Sequence, residues 1–164
     1  MIHLVTGGAR AGKSSFVLSD VEKNVPTGSI GFLATAEAID AEMRLRIDRH
    51  RLERGPRYQT IEEPLVLGET LDGARRQHAA VIVDCLTVWM GTLLWRWNFA
   101  LALSENKIKG TKMDFATLQK CSGGDAGLMA HLLGRKALAE EVEAYNESGA
   151  GLALLLAAPA FQRC

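Results

Sequence analysis

Eight consecutive residues, Gly7-Gly8-Ala9-Arg10-Ala11-Gly12-Lys13-Ser14, fill every fixed position of the pattern G-x-x-x-x-G-K-[ST]. These residue types suit a ligand that carries phosphate. The glycines let successive backbone N–H groups turn toward one anion, and a helix begun near Lys13 adds its positive dipole end. The Lys13 ammonium can reach the β- and γ-phosphates of a nucleoside triphosphate, and the Ser14 hydroxyl can ligate Mg²⁺. Such a loop needs an acidic partner for the metal, usually at the end of a neighbouring strand. Val81-Ile82-Val83-Asp84 supplies one in Asp84. Its competing role is to cap the helix that begins near Thr87.

A histidine on a basic helix is the second feature. Met43, Ile47, His50 and Arg54 fall at i, i+4, i+7 and i+11, so His50 shares a helix face with apolar residues. Arg44, Arg46, Arg49 and Arg51 surround that face with positive charge. Two readings stand: a core-edge histidine beside a solvated arginine row, or a nucleophilic imidazole in a phosphate-binding environment. His3, His78 and His131 lack such surroundings and read as structural. Glu62 and Glu63 follow the short run Tyr58–Ile61 and read as surface carboxylates.

The elements that must position these groups alternate. Apolar runs at Ile2–Thr6, Ser29–Ala34 and Ala80–Val83 read as buried parallel strands. Helical signals cover Lys13–Lys23, Ile39–Arg54, Leu65–Gln77 and Thr87–Leu103. The expected class is α/β, a mainly parallel sheet flanked by helices with right-handed crossovers. Ser104–Gly127 reads as mostly loop, Leu128–Ser148 as one amphipathic helix, and Gly151–Leu156 as a fourth strand. A length of 164 residues favours a single nucleotide-binding domain, residues 1–164. Nineteen basic and nineteen acidic side chains cancel, which argues against nucleic acid or an anionic membrane as partner. Cys85, Cys121 and Cys164 make no metal-ligand pattern and suggest reduced thiols in the cytoplasm. Ile2–Thr6 is too short for a signal peptide. Thr87–Leu103 has only 17 residues, interrupted by Arg96 and Asn98, and falls short of a membrane span. A buried or subunit-facing helix is the better reading.

Taken in order, Val5-Thr-Gly-Gly-Ala-Arg-Ala-Gly-Lys-Ser14, Leu33-Ala-Thr-Ala36, Arg46-Ile-x-x-His50-Arg-x-x-Arg54, Thr60-x-Glu62-Glu-Pro64 and Val83-Asp-Cys-Leu-Thr87 resemble one family closely. It is the bifunctional adenosylcobinamide kinase / adenosylcobinamide-phosphate guanylyltransferase family of cobalamin synthesis. The resemblance implies a P-loop NTPase-like fold. It implies phosphorylation of adenosylcobinamide by a nucleoside triphosphate, then transfer of GMP from GTP to adenosylcobinamide phosphate. Further implications are a guanylylated histidine at His50, Lys13 as a second catalytic group, and Mg²⁺ at Ser14 and Asp84. GTP and ATP would be substrates, a corrinoid the acceptor, and a homotrimer the assembly. Nucleotide contacts would map to Gly7, Gly8, Ala9, Arg10, Ala11, Gly12, Lys13 and Ser14; to Ala34, Thr35 and Ala36; to Arg51, Leu52, Glu53 and Arg54; and to Glu62 and Asp84. The alternative is a nucleotide-binding protein of the same fold with transfer impaired or lost.

The resemblance covers roughly residues 1–95, and residues 104–164 depart from it. There the family pattern expects Ser-Asn-Glu-Val-Gly, a long helix and a last strand, where this chain runs Ala157-Ala-Pro-Ala-Phe-Gln-Arg-Cys164. Truncation, frameshift or divergence would each produce that difference, and the sequence does not decide among them.

Overall fold

The computed structural model describes residues 1–8, 11–38, 41–52 and 54–162. Two compact units are present, Met1–Met90 and Gly91–Cys164, and each is treated by itself. In the first, β1 (Ile30–Ala34), β2 (Tyr58–Glu62) and β3 (Ala80–Asp84) form a parallel sheet in the order β2-β1-β3. The central strand is the most apolar of the three, and Ile30 and Leu33 within it are fully buried. Burial on both faces is what a parallel sheet under helices requires.

Alternation along the strands divides the core in two. Ile30, Phe32 and Ile82 pack with Val17, Leu18 and Val21 of α1 (Lys13–Asn24). Leu33, Ile61, Val81 and Val83 pack instead with Leu67, Leu71 and Ala74 of α3 (Leu67–Gln77). Between β1 and β2 runs α2 (Ala41–Leu52), on which Met43 and Ile47 are half-buried and His50 is exposed. The helix predicted from Ile39 to Arg54 starts on residues outside those described.

Ile2–Thr6 is not a strand. Ile2 and Leu4 are exposed, and the segment joins no ladder of the sheet. His3 is tied to the first helix instead, with Nδ1 3.2 Å from Asp20 Oδ2. A five-residue apolar run has no strand character of its own; a partner's ladder must supply it. Conversely, Tyr58–Ile61 read only as a short run, yet it pairs with β1 along its whole length.

The second unit is helical. It holds the later part of α4 (Leu86–Ser104), then α5 (Phe115–Cys121), α6 (Asp125–Leu133), α7 (Ala139–Glu147), α8 (Gly151–Ala157) and α9 (Pro159–Gln162). Ala100, Leu128, Met129, Leu132, Leu133, Leu155 and Leu156 form its core. Residues 104–127, expected as mostly loop, are loop apart from Ser104, α5 and the start of α6; Asp114 caps α5, accepting from Thr117 N at 3.0 Å and from Thr117 Oγ1 at 2.7 Å. Two expectations fail here. The single helix expected over Leu128–Ser148 is two, broken at Gly134, whose φ of 65° suits glycine. Glu141 starts the second of them, accepting from Leu138 N at 2.7 Å and from both ends of the Arg135 guanidinium. The Arg135 hydrogen bonds hold its carboxyl below the ordinary range, with the Leu138 N–H helping. Gly151–Leu156 is helix rather than a fourth strand. Short apolar runs carry no period that separates the two, and Ala153, Leu155 and Leu156 find helices to pack on.

One glycine of the sheet is sterically required. A Cβ on Gly31 would lie 2.8 Å from Cδ2 of His78, whose Nδ1 is 3.0 Å from Ser29 Oγ. Gly31→Ala is expected to destabilise the protein by about 1–3 kcal/mol. In a His78→Ala background the same change should cost much less. Urea melts of the four proteins measure this, and equal costs in both backgrounds would remove the ring as the cause.

Candidate functional site

The glycine-rich loop leads directly into α1. Gly12 precedes the helix in the left-handed conformation, with φ 77°, and its carbonyl accepts from Phe16 N at 2.9 Å. That turn reverses the chain so that Lys13 Nζ reaches back over the loop. It donates to Gly8 O at 2.7 Å and to Gly7 O at 3.0 Å. Ala11 N closes the turn on Gly8 O at 3.3 Å. Ala9 and Arg10 lie outside the described residues.

Ser14, one residue further on, meets the sheet. Its Oγ donates to Asp84 Oδ2 at 3.0 Å, joining residues 70 positions apart. Asp84 ends β3, level with Ala34 at the end of β1, and Ala34 is level with Glu62 at the end of β2. Three of the residues singled out from sequence therefore stand in one row at the carboxyl edge of the sheet, where ligands of open α/β folds bind.

Thr35 and Ala36 continue from that row. Thr35 is fully buried. Its N donates to Asp84 O at 3.2 Å, its hydroxyl donates to Cys85 O at 2.8 Å, and Cys85 N donates to the hydroxyl at 3.0 Å.

The end of α2 is tied to the same sheet. Arg51 makes an ion pair with Glu62 and lies 3.7 Å from Asp48. The Arg54 guanidinium sits 3.7 Å from the centroid of the Phe32 ring, a cation–π contact, and its Nε donates to His50 O at 2.7 Å. Leu52 points outward, and Glu53 lies outside the described residues. The exposure of His50 goes against the core-edge reading.

Two contributors to this architecture escaped the sequence. Glu63, read as a surface carboxylate, is buried. Its Oε1 accepts from Leu65 N at 2.8 Å and Val66 N at 2.9 Å, and its Oε2 from Thr70 Oγ1 at 3.4 Å, so it holds the turn that leads into α3. The signal was present: an acid beside Pro64, four residues ahead of the first helical residue. Arg57, just before β2, reaches Glu22 Oε2 at 2.8 Å, Val25 O at 2.6 Å and Gly28 O at 3.1 Å, and so ties down the end of α1. Nothing in its sequence surroundings marks that role.

No group of three or more His, Cys, Asp or Glu side chains among the described residues is placed to hold a metal. Ser14 and Asp84 nonetheless offer two adjacent hard oxygens. That fits Mg²⁺, which keeps several waters and is bound through one or two protein oxygens plus substrate phosphates. No described helix is long and apolar enough to cross a membrane.

Sheet and flanking helices together define an α/β protein with a glycine-rich loop joined to the carboxyl edge of a parallel sheet. A family model described as cobinamide kinase / cobinamide phosphate guanyltransferase matches residues 3–123, and the chain belongs to that family. Bifunctional adenosylcobalamin biosynthesis protein CobP of Pseudomonas aeruginosa is 40% identical over 94 residues, 57% of this chain and 53% of its own. CobU of Escherichia coli is 32% identical over 98 residues, 60% and 52%. CobU of Salmonella typhimurium is 28% identical over 155 residues, 93% and 78%. In the first two alignments the chain spans about half the length of the relatives. The likeness therefore reaches past residue 95.

Removing the Glu63 carboxylate is expected to cost about 1–3 kcal/mol in Glu63→Ala, because the Leu65 and Val66 N–H groups leading into α3 lose their acceptor. Glu63→Gln keeps one acceptor oxygen and should lose less. Denaturant midpoints test this, and a Glu63→Ala protein as stable as its parent would make those bonds dispensable.

Proposed function

We propose that this chain binds a nucleoside triphosphate at Gly7–Ser14 in a P-loop fold. There it phosphorylates adenosylcobinamide and then transfers GMP from GTP to adenosylcobinamide phosphate. The observation that carries the site is the 3.0 Å contact between Ser14 and Asp84. It joins the hydroxyl of the glycine-rich loop to the carboxylate at the end of a parallel strand, the pairing that phosphoryl transfer with Mg²⁺ needs. Membership of the family and the names of the relatives support the choice of substrates.

Each group then has a role. Backbone N–H groups of the loop and the start of α1 bind phosphate oxygens. The Lys13 ammonium moves from the Gly7 and Gly8 carbonyls onto phosphate. Mg²⁺ held by Ser14 and Asp84 would neutralise phosphate charge. His50 attacks the α-phosphorus of GTP with its unprotonated ring nitrogen: an N–P bond forms, the bond to the bridging oxygen breaks, and pyrophosphate leaves. A phosphate oxygen of the corrinoid then takes the GMP and frees the imidazole. Arg51, on the same helix, and Arg54, beyond its last residue, stabilise charge on the attacked phosphate. Ala34, Ala36 and Glu62 border the nucleotide at the edge of the sheet, and of Thr35, whose side chain is buried, only the backbone does. A trimer in the cytoplasm completes the reading, and the exposed apolar side chains of α4 support self-association: Leu94, Trp95 and Phe99 face outward, with the Trp95 and Phe99 rings stacked at 5.8 Å.

Lys13→Ala should remove both activities and leave the fold intact. A charge-assisted phosphate contact contributes about 1.5–3 kcal/mol, so GTP affinity is expected to drop roughly 10- to 100-fold. Unchanged binding by calorimetry in a folded variant would reject the loop as the site.

His50→Ala separates the two reactions. The exposed side chain should cost under about 0.5 kcal/mol of stability on removal. Covalent label from [α-³²P]GTP and GMP transfer should vanish, while kinase turnover persists, since phosphorylating a hydroxyl uses no histidine intermediate. Label retained on the variant would end the assignment. Parallel loss of both activities together with stability would assign His50 to packing.

A further inference from the structure

The hydroxyl of Thr35 does not point at open solvent, and its hydrogen bonds go to one place. It donates to the carbonyl and accepts from the amide of Cys85, the residue after Asp84. The Thr35 amide also donates to the Asp84 carbonyl. The two successive peptide groups that follow Asp84, Asp84–Cys85 and Cys85–Leu86, are thereby held by one residue of the central strand's extension. The Asp84 carboxylate in turn accepts from Ser14.

We propose that Thr35 is a positioning residue for divalent-cation binding, acting on the nucleotide site through Asp84 and not through contact of its own side chain with the ligand. The proposal rests on the reading of Ser14 and Asp84 as the Mg²⁺ pair. Where β3 ends, its peptide groups leave the ladder and lose the partners that fixed their direction. A buried hydroxyl that is donor and acceptor to the same residue replaces those partners. Isosteric Val keeps the volume but offers neither bond, so the two Cys85 groups must reorient to find others. Reorientation of that peptide swings the Asp84 side chain relative to Ser14. A displacement of that kind is felt most by Mg²⁺, which demands near-ideal octahedral geometry, and least by phosphate oxygens bound on loop amides.

The test compares parent, Thr35→Val, Thr35→Ser, Thr35→Ala and Asp84→Asn by titration with a fluorescent GTP analogue, with and without Mg²⁺. Thermal melts run alongside. Thr35→Val is expected to raise the Mg²⁺ concentration for half-maximal tightening about 10-fold or more, with Mg²⁺-free affinity within about twofold of the parent. Thr35→Ser should restore the parent value, and Asp84→Asn should show the larger shift of a lost ligand. Should the valine variant not fold, Thr35→Ala is read the same way. A Thr35 variant that melts lower but keeps the parent's Mg²⁺ requirement would overturn the proposal and leave a packing role. Equal weakening with and without Mg²⁺ would overturn it in favour of direct nucleotide contact. A parent protein whose affinity ignores Mg²⁺ would sink the metal reading itself, a failure visible before any variant is compared.

Discussion

β1 is hydrogen-bonded along both edges, to β2 on one side and β3 on the other, with all three strands parallel. Parallel pairing brings every carboxyl end to the same border, and the shared register sets Glu62, Ala34 and Asp84 level there. The arrangement does not tolerate slippage. A shift of one residue would turn Leu33 from the face covered by α3 to the face covered by α1. Burial of Ile30 and Leu33 thus fixes the position of two carboxylates that contribute nothing to the core.

Charged groups at this border already have partners within the protein. Lys13 is bonded to two loop carbonyls, Arg51 to Glu62, and Arg54 rests on Phe32 and the backbone of α2. A phosphate that binds here exchanges partners more than it satisfies orphaned groups. Net affinity is then the difference between charge-assisted contacts to phosphate and the weaker bonds they replace. The same exchange couples the ligand to conformation, because drawing Arg51 away from Glu62 loosens the tie between α2 and β2.

Packing in the second unit obeys another logic. Leucines and alanines of α6, α8 and α9 make its core with Ala100, and helix ends are set by individual side chains such as Asp114 and Glu141. Caps of this kind let short helices form where length alone would leave them marginal.

By itself the sequence determined the glycine-rich loop, the acid at the end of β3 that meets it, the basic helix with His50, and β1 and β3, since each is written in local pattern. Glycine spacing, an acid at the end of an apolar run and a 3.6-residue period require no distant partner to be recognised. Tertiary structure decided what depends on neighbours. It made a strand of Tyr58–Glu62, which β1 pairs, and none of Ile2–Thr6, which no strand pairs. It wound Gly151–Ala157 into a helix because helical surfaces were there to bury its leucines. It drew Glu63 and Thr35 inward, where hydrogen bonds to backbone groups of Leu65, Val66 and Cys85 offset their desolvation. A polar side chain's worth is set by the groups it meets, and residues far apart in the chain meet only when the sheet has formed.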